Sequence, residues 1–263
     1  NVNSRLLVIF KKTRGKKTYS IGSGKSLSEI LKLMIKKNFF LSINYYEDFF
    51  RLLVFKFLTV IYNSYYRPLT LYNFPIYVFN FSKILPYLRD ADVIVLHSIQ
   101  NVISIENILE IAEKLNKKIV FHPLDMEMIT GGYHFSYNCK CYQTGICNST
   151  QHNLSTLSKF YFERKVKILK KIPITWVATN NFVLNRIKKS KIYSNNHSSK
   201  VIFLGIEHQR FKSYSKSFAR KKLKIKNSKQ VILFGCSNFS DLRKGSYVIN
   251  SVMKEIAKSD LKL

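Results

Sequence analysis

Acidic side chains are scarce in this chain. Only 15 Asp and Glu stand against 44 Lys and Arg in 263 residues, a formal charge of +29. So few carboxylates count against a hydrolase built on a carboxylate pair, and no spacing of Ser, His and Asp marks a nucleophilic triad. Cysteine is sparse as well: four residues, three of them crowded at Cys139, Cys141 and Cys147, do not make a secreted disulfide framework and point to a reducing compartment. Long apolar runs are missing. The most hydrophobic stretch, residues 49–62, is interrupted by Arg51 and Lys56 and is too short to span a bilayer. It is expected to pack on a core, the other reading being a basic amphipathic helix lying in a membrane interface. The opening residues read as a strand rather than a signal peptide, and neither an internal repeat nor a low-complexity segment is visible.

What is present suits a folded α/β protein. At 30.9 kDa with 46% hydrophobic residues, the chain can bury one large or two modest cores. The excess charge is carried by 34 Lys and only 10 Arg, spread along the chain with many Asn and Ile. That is the composition an AT-rich coding sequence produces, and it equally suits attraction to an anionic membrane leaflet; nucleic acid is the less favoured partner.

Periodicity predicts a strand at residues 6–10, a basic loop at 11–17, and a helix from Ser26, with Glu29 as its capping-box partner, to about Lys37. An aromatic-rich region, 39–81, holds one helix plus loops broken at Pro68 and Pro75. The signal sharpens after that, with a strand at 92–96, a helix at 105–115 and a strand at 118–121, which together form a βαβ unit. A basic helix at 154–171, a strand at 174–178, a helix at 182–190 and a strand at 201–204 follow. The sheet is expected to be mostly parallel and covered on both faces. The pattern then restarts with a helix at 217–223, a strand at 230–234 and a helix at 246–258, the beginning of a second α/β domain.

Open α/β sheets bind ligands beyond the carboxyl ends of their strands. Those ends carry His97; His122 with Asp125 and the loop Thr130-Gly131-Gly132-Tyr133-His134-Phe135-Ser136; Thr179-Asn180; Gly205; and the segment from Gly235 to Lys244. Two adjacent glycines before an aromatic-His-aromatic triplet suggest a backbone that a ligand can approach, with a titratable ring beside it. His134 is a candidate acid/base, acceptor contact or packing residue. Residues 234–245 read as strand, loop and helix start, where backbone amides with Arg243 and Lys244 can receive phosphate, although this is not the glycine pattern of a P-loop or dinucleotide fold. His134, Cys139, Cys141 and Cys147 also form a candidate zinc set, weakened by the lack of a Cys-x2-Cys knuckle.

Residues 120–151, with Asp125-Met126 and Thr130-Gly131-Gly132-Tyr133-His134-Phe135-Ser136, resemble a segment of the family 4 (group 1) glycosyltransferases. That segment reads about D-M-x-x-x-T-G-G-C-H-Y-S-x-x-C-x-x-Y-x-x-G-C. Further pieces agree in order: Val95-Leu96-His97; Trp176-Val177-Ala178; Val201 to Glu207 with Phe211; Ala219-Arg220-Lys221-Lys222-Leu223; and Val231 to Gly235 with Arg243-Lys244-Gly245. The likeness covers about residues 85–255.

The resemblance implies a GT-B-like α/β fold of two Rossmann-like parallel-sheet domains, the first nearly complete and the second truncated after about one βα unit. The domains would be 1–207 on the acceptor side, a linker at 208–217, and the start of the nucleotide-sugar-binding domain at 218–263. It implies a retaining glycosyltransferase that moves a sugar from a nucleotide-diphosphate donor to a glycan or lipid-linked acceptor, in cell-surface polysaccharide or lipopolysaccharide biosynthesis. No cofactor or metal is expected in that reaction. His134 would be catalytic; His97, Asp125, Gly131 and Gly132 would line the acceptor cleft; Gly235, Arg243 and Lys244 would bind donor phosphate.

The sequence departs from the family at three places. Leu124 stands where many relatives have His, Cys236 where an Arg often follows the glycine, and among the loop cysteines Cys139 matches while Tyr133 replaces the first. The chain is expected to be an internal fragment, inactive alone, cytoplasmic, and attached peripherally to the inner face of the plasma membrane. The alternatives are a non-enzymatic basic α/β protein that binds nucleic acid, and a GT-B-like chain with a decayed donor site.

Overall fold

The computed structural model describes residues 6–8, 18–20, 50, 53–54, 57–58, 60–61, 72–75, 81–100, 102–136, 138–147, 155–226, 231–236 and 244–258. The expected helix from Ser26 to Lys37 and the basic loop at 11–17 lie outside them. The chain divides into two compact units, Asn1–Phe203 and Leu204–Leu263.

In the first unit four strands form an all-parallel sheet: β3 (Val93–Leu96), β4 (Lys118–Phe121), β5 (Ile174–Ala178) and β6 (His197–Val201). They lie side by side in chain order. Two earlier strands, β1 (Leu6–Val8) and β2 (Thr18–Ser20), pair parallel with each other in a separate two-stranded sheet. β2 gave no signal in the sequence. The helices of this unit are α1 (Leu85–Leu88), α2 (Ile105–Leu115), α3 (Cys141–Thr144), α4 (Ser155–Leu169) and α5 (Asn181–Lys189).

Each connection has a local cause. α2 starts at Ser104, whose hydroxyl accepts from Asn107 N while the Asn107 side chain accepts from Ser104 N, a reciprocal capping box. It stops at Asn116, which turns left-handed (φ 47°). α5 starts at Asn180, whose side chain accepts from Val183 N at 2.9 Å. The apolar face read from the sequence of α2 is the buried one, with Ile105, Ile108 and Ile111 against the core.

Coverage of the sheet differs from the expectation. Ile94, Leu96, Ile119, Phe121, Ile174, Trp176 and Ala178 are buried, and the Phe121 and Trp176 rings stack at 5.0 Å. Val93 and Val95, on the other face of β3, are 45% and 48% exposed. The strand order explains this: right-handed crossovers that keep stepping in one direction put all their helices on one face. Among the described residues the sheet is therefore packed mainly on one side.

The last strand also moves. The apolar run 201–204 was expected to be the strand, but β6 is the polar segment His197–Val201. Its register is set by β5, which pairs from Ile174 with His197 to Ala178 with Val201. The His197 ring locks that register: its Nδ1 accepts from Trp176 Nε1 at 3.1 Å and its Nε2 donates to Leu169 O at 2.9 Å. Burial pushes the His197 imidazole below its ordinary value, as the neutral, accepting form requires. Ile202 N still donates to Ala178 O at 2.9 Å, after which Phe203 and Leu204 are exposed.

In the second unit the described residues form α6 (Lys216–Lys222), opened by Ser215, and α7 (Ser246–Lys258). The expected strand at 230–234 is not formed in its described part: residues 231–236 are irregular and Leu233 is 91% exposed. Among the described residues this apolar run has no ladder partner for its backbone groups, and a run cannot become a strand alone.

The run 49–62 is also corrected. Its described residues are helical, and Phe50, Leu53, Phe57, Val60 and Ile61, spaced along one helical face, are exposed rather than packed on a core. No helix among the described residues is long and apolar enough to cross a membrane.

Candidate functional site

The carboxyl ends of β3 and β4 bring histidines and a carboxylate to one edge of the sheet. His97 follows β3 and His122 follows β4; His122 N donates to Leu96 O at 3.0 Å, which holds the two strand ends together. Their rings meet edge to face, with Nδ1 atoms 3.0 Å apart. One ring nitrogen donates and the other accepts. Burial first, then the neighbouring His97, pushes the His122 imidazole below its ordinary value. Its Nε2 is buried without a hydrogen-bond partner among the described residues. Ser98, next to His97, has φ 43°, a left-handed conformation uncommon for a residue with a side chain.

Asp125 and His134 form the second pair. Asp125 Oδ1 accepts from Glu127 N at 2.9 Å, which fixes the carboxylate at the start of the turn Glu127–Ile129. His134 Nδ1 donates to Asp125 Oδ2 at 2.7 Å, and Met126 N donates to His134 O at 3.0 Å. The carboxylate thus fixes which ring nitrogen of His134 carries the proton and leaves Nε2 as the acceptor. Both side chains keep about a fifth of their surface exposed (19% and 20%), enough to be reached from solvent.

Beneath them the glycine loop is buried rather than open. Thr130, Gly131, Gly132 and Tyr133 are all buried, and Thr130 Oγ1 donates to Tyr133 O at 2.7 Å. A Cβ on Gly131 would stand 2.1 Å from Ser158 O of α4. Gly132 has φ 115°, and its Cβ would stand 2.7 Å from Asn73 O. Glycine is required here because the loop passes against α4 and the 72–75 segment, where Asn73 N donates to Gly132 O at 2.7 Å and Tyr72 bridges Tyr133.

A group not anticipated from the sequence lies under this loop. Lys165 of α4 is fully buried, and its Nζ donates to Glu127 Oε1 and Glu127 O, both at 2.7 Å, and to Thr130 O at 3.1 Å. Burial pulls the Lys165 ammonium below its ordinary value, while the Glu127 carboxylate opposes the shift. Its three N–H groups are all used, and they tie α4 to both ends of the turn that positions Asp125. On the far side Arg186 of α5 donates to Ser136 Oγ and lies 4.1 Å over the Phe182 ring.

The structure places the other candidates as follows. Cys139, Cys141 and Cys147 gather their sulfurs within 4.8 Å of one another, without His134, which is held by Asp125. The expected grouping of one histidine with three cysteines is thereby reduced to the three thiols. Gly235 and Lys244 lie in the second unit, both exposed, with Lys244 and Gly245 directly before α7. Arg243 is outside the described residues. No family model, no curated protein and no solved structure matches this chain.

Proposed function

We propose that the protein is a retaining glycosyltransferase of the GT-B kind, with the first unit on the acceptor side and the second unit on the donor side. The observation that carries this reading is the Asp125–His134 pair, oriented at 2.7 Å above a buried Thr-Gly-Gly-Tyr turn at the carboxyl end of a parallel strand. The same residues carry the sequence resemblance, and a four-stranded all-parallel sheet is the scaffold that the resemblance calls for.

In this reading His134 Nε2 receives the proton of the acceptor hydroxyl, and Asp125 stabilises the imidazolium that forms. His97 belongs to the acceptor cleft, and Gly131 and Gly132, which are buried, shape it from behind by letting the loop sit low against α4. On the donor side Lys244, Arg243, Gly235 and the amino end of α7 offset the charge of the departing nucleotide diphosphate. The chemistry needs no cofactor, and the donor is substrate.

The acceptor class is a glycan or a lipid-linked glycan, made at the cytoplasmic side of a membrane. Support for a membrane comes from the exposed apolar stripe Phe50, Leu53, Phe57, Val60 and Ile61 on a chain of charge +29. That charge also suits nucleic acid, the second reading.

The test is nucleotide release from a panel of UDP-, GDP-, ADP- and dTDP-sugars by the full-length protein, as wild type and as Lys244→Ala. Release that depends on Lys244 supports the transferase and names the donor. Absence of release and of sugar-nucleotide binding, together with steeply salt-dependent binding to arbitrary duplexes, would move the assignment to nucleic acid.

A further inference from the structure

Three sulfurs converge in the segment that follows the glycine loop. Cys139 follows Ser136, with its N donating to Ser136 O at 2.7 Å; Cys141 opens α3; Cys147 follows the turn that closes α3. An extended Cys-x-Cys pair would hold its Cα atoms roughly 6.6 Å apart and chelate poorly. The chain is not extended here: it turns at Lys140 (φ −92°, ψ 28°) into the single helical turn of α3. Gly145, left-handed at φ 77°, ends that turn, with its N donating to Cys141 O at 2.9 Å. Thr144 Oγ1 then accepts from Ile146 N at 3.2 Å, which directs Cys147 back towards the other two. A side chain at Gly145 would meet the Phe162 ring at 2.8 Å, so the turn is also fixed from the α4 side.

The result is a preformed set of three thiols, none of them in a disulfide, with their sulfurs all within 4.8 Å of one another. In a tetrahedral zinc–thiolate site, with Zn–S bonds of about 2.3 Å, the sulfurs stand roughly 3.8 Å apart. Each sulfur needs to move by no more than about 0.6 Å to reach that spacing. Cys141 and Cys147 are buried in an apolar cluster with Tyr72 and Tyr133, and Phe74 packs against it, so the sulfurs are shielded on one side. A buried cysteine alone is an ordinary small apolar residue, but three sulfurs brought together by a helical turn, a left-handed glycine and a side-chain-bonded loop are a ligand set.

We infer that Cys139, Cys141 and Cys147 bind one zinc ion as thiolates, with water in the fourth position, and that this ion fixes the segment under the Asp125–His134 pair. Three thiolates and one Zn2+ leave a single net negative charge, and an exposed lysine, Lys140, stands in the chain between the first two ligands. Tyr133 ties the metal cluster to the site: it belongs to the cysteine cluster and directly precedes His134. The role is structural and takes no part in sugar transfer, so it stands whether or not the transferase reading holds.

The experiment is metal analysis of the reduced protein, purified without chelator, followed by replacement with Co2+ as the only added metal. About one zinc ion per chain is expected, and Co2+ should give a thiolate-to-cobalt charge-transfer band and the visible bands of a tetrahedral site. Cys141→Ser and Cys147→Ser should each weaken Co2+ binding by about tenfold or more, while Cys236→Ser binds as the wild type does. Should the serine variants not fold, the wild type decides through its Co2+ spectrum and through a fall in melting temperature when a zinc chelator is added. A reduced wild type that retains no zinc and develops no charge-transfer band with Co2+ would overturn the inference. So would full binding by the Cys141→Ser/Cys147→Ser double variant.

Discussion

Replacing Lys165 with Met should be among the most damaging single changes in the first unit, although Lys165 touches no proposed substrate. The ammonium makes three hydrogen bonds, two of 2.7 Å to Glu127 and one of 3.1 Å to Thr130 O, with Lys165 and Glu127 side chains 0% and 2% exposed. Met has similar length but no donor, so it leaves the Glu127 carboxylate uncompensated in the core. Breaking a buried ion pair from one side costs about 3–5 kcal/mol. Glu127→Leu, which strands the ammonium instead, should cost a similar amount. The double variant removes both charges, and only the Glu127 and Thr130 carbonyls lose a donor. It should be no less stable than either single variant, giving a coupling of about 3 kcal/mol or more. The assay is urea unfolding of the four proteins in a double-mutant cycle, read by the fluorescence of the single Trp176, which lies in the same core. Additive losses, or single losses under about 1 kcal/mol, would refute the claim that this pair holds the turn beneath Asp125.

Gly131→Ala should destabilise by about 1–3 kcal/mol or more in the same unfolding assay, since its Cβ would stand 2.1 Å from Ser158 O, while Gly235→Ala, with nothing within 4 Å, should stay within about 0.5 kcal/mol. The folded state holds His197 neutral below its ordinary value of about 6.5, so its contribution is complete above that pH and is lost as the pH falls through it. Melting temperatures from pH 8 to 5, as conditions spanning that value, should fall less for His197→Gln than for the wild type; equal slopes would contradict the assignment. Phe57→Asp should weaken binding to vesicles containing an anionic lipid by about ten- to a hundredfold, the free energy of burying one large apolar side chain, and an unchanged vesicle affinity would remove the membrane from the proposal.

Much of the first unit was legible in the sequence because its elements are local and periodic. The residues 105–115, 118–121 and 174–178 carry their own signals, and the structure forms those elements with the same bounds. β6 escaped because its pairing depends on β5 and on the His197 ring, neither of which a polar His-Ser-Ser-Lys-Val segment announces. The run 231–234 misled for the reverse reason: its β-branched residues favour a strand, yet a strand needs a neighbour, and residues 231–236 have none among the described residues.

At the site, His97, His122, Asp125 and His134 were placed by the strand-end rule. Their pairing was not, since hydrogen bonds across nine and 25 positions leave no mark in spacing. The glycines were read as room for a ligand; the room is filled by Ser158 and Asn73. Lys165 did leave a trace. It stands between Tyr161 and Leu169 at helical spacing, all three buried, so a lysine in an apolar stripe was the sign of a buried partner.

The central claim is that Asp125 and His134 act as one unit on the acceptor. The most direct test is kcat of the full-length protein as wild type, Asp125→Asn, His134→Ala and the double variant, with the donor that the release panel names and its acceptor. Groups that work together do not lose activity additively, so the double variant should fall no further than His134→Ala alone, about 10²–10⁴-fold below the wild type, with donor affinity unchanged. Multiplying losses in the double variant, or a His134→Ala enzyme within about threefold of the wild type, would contradict the account.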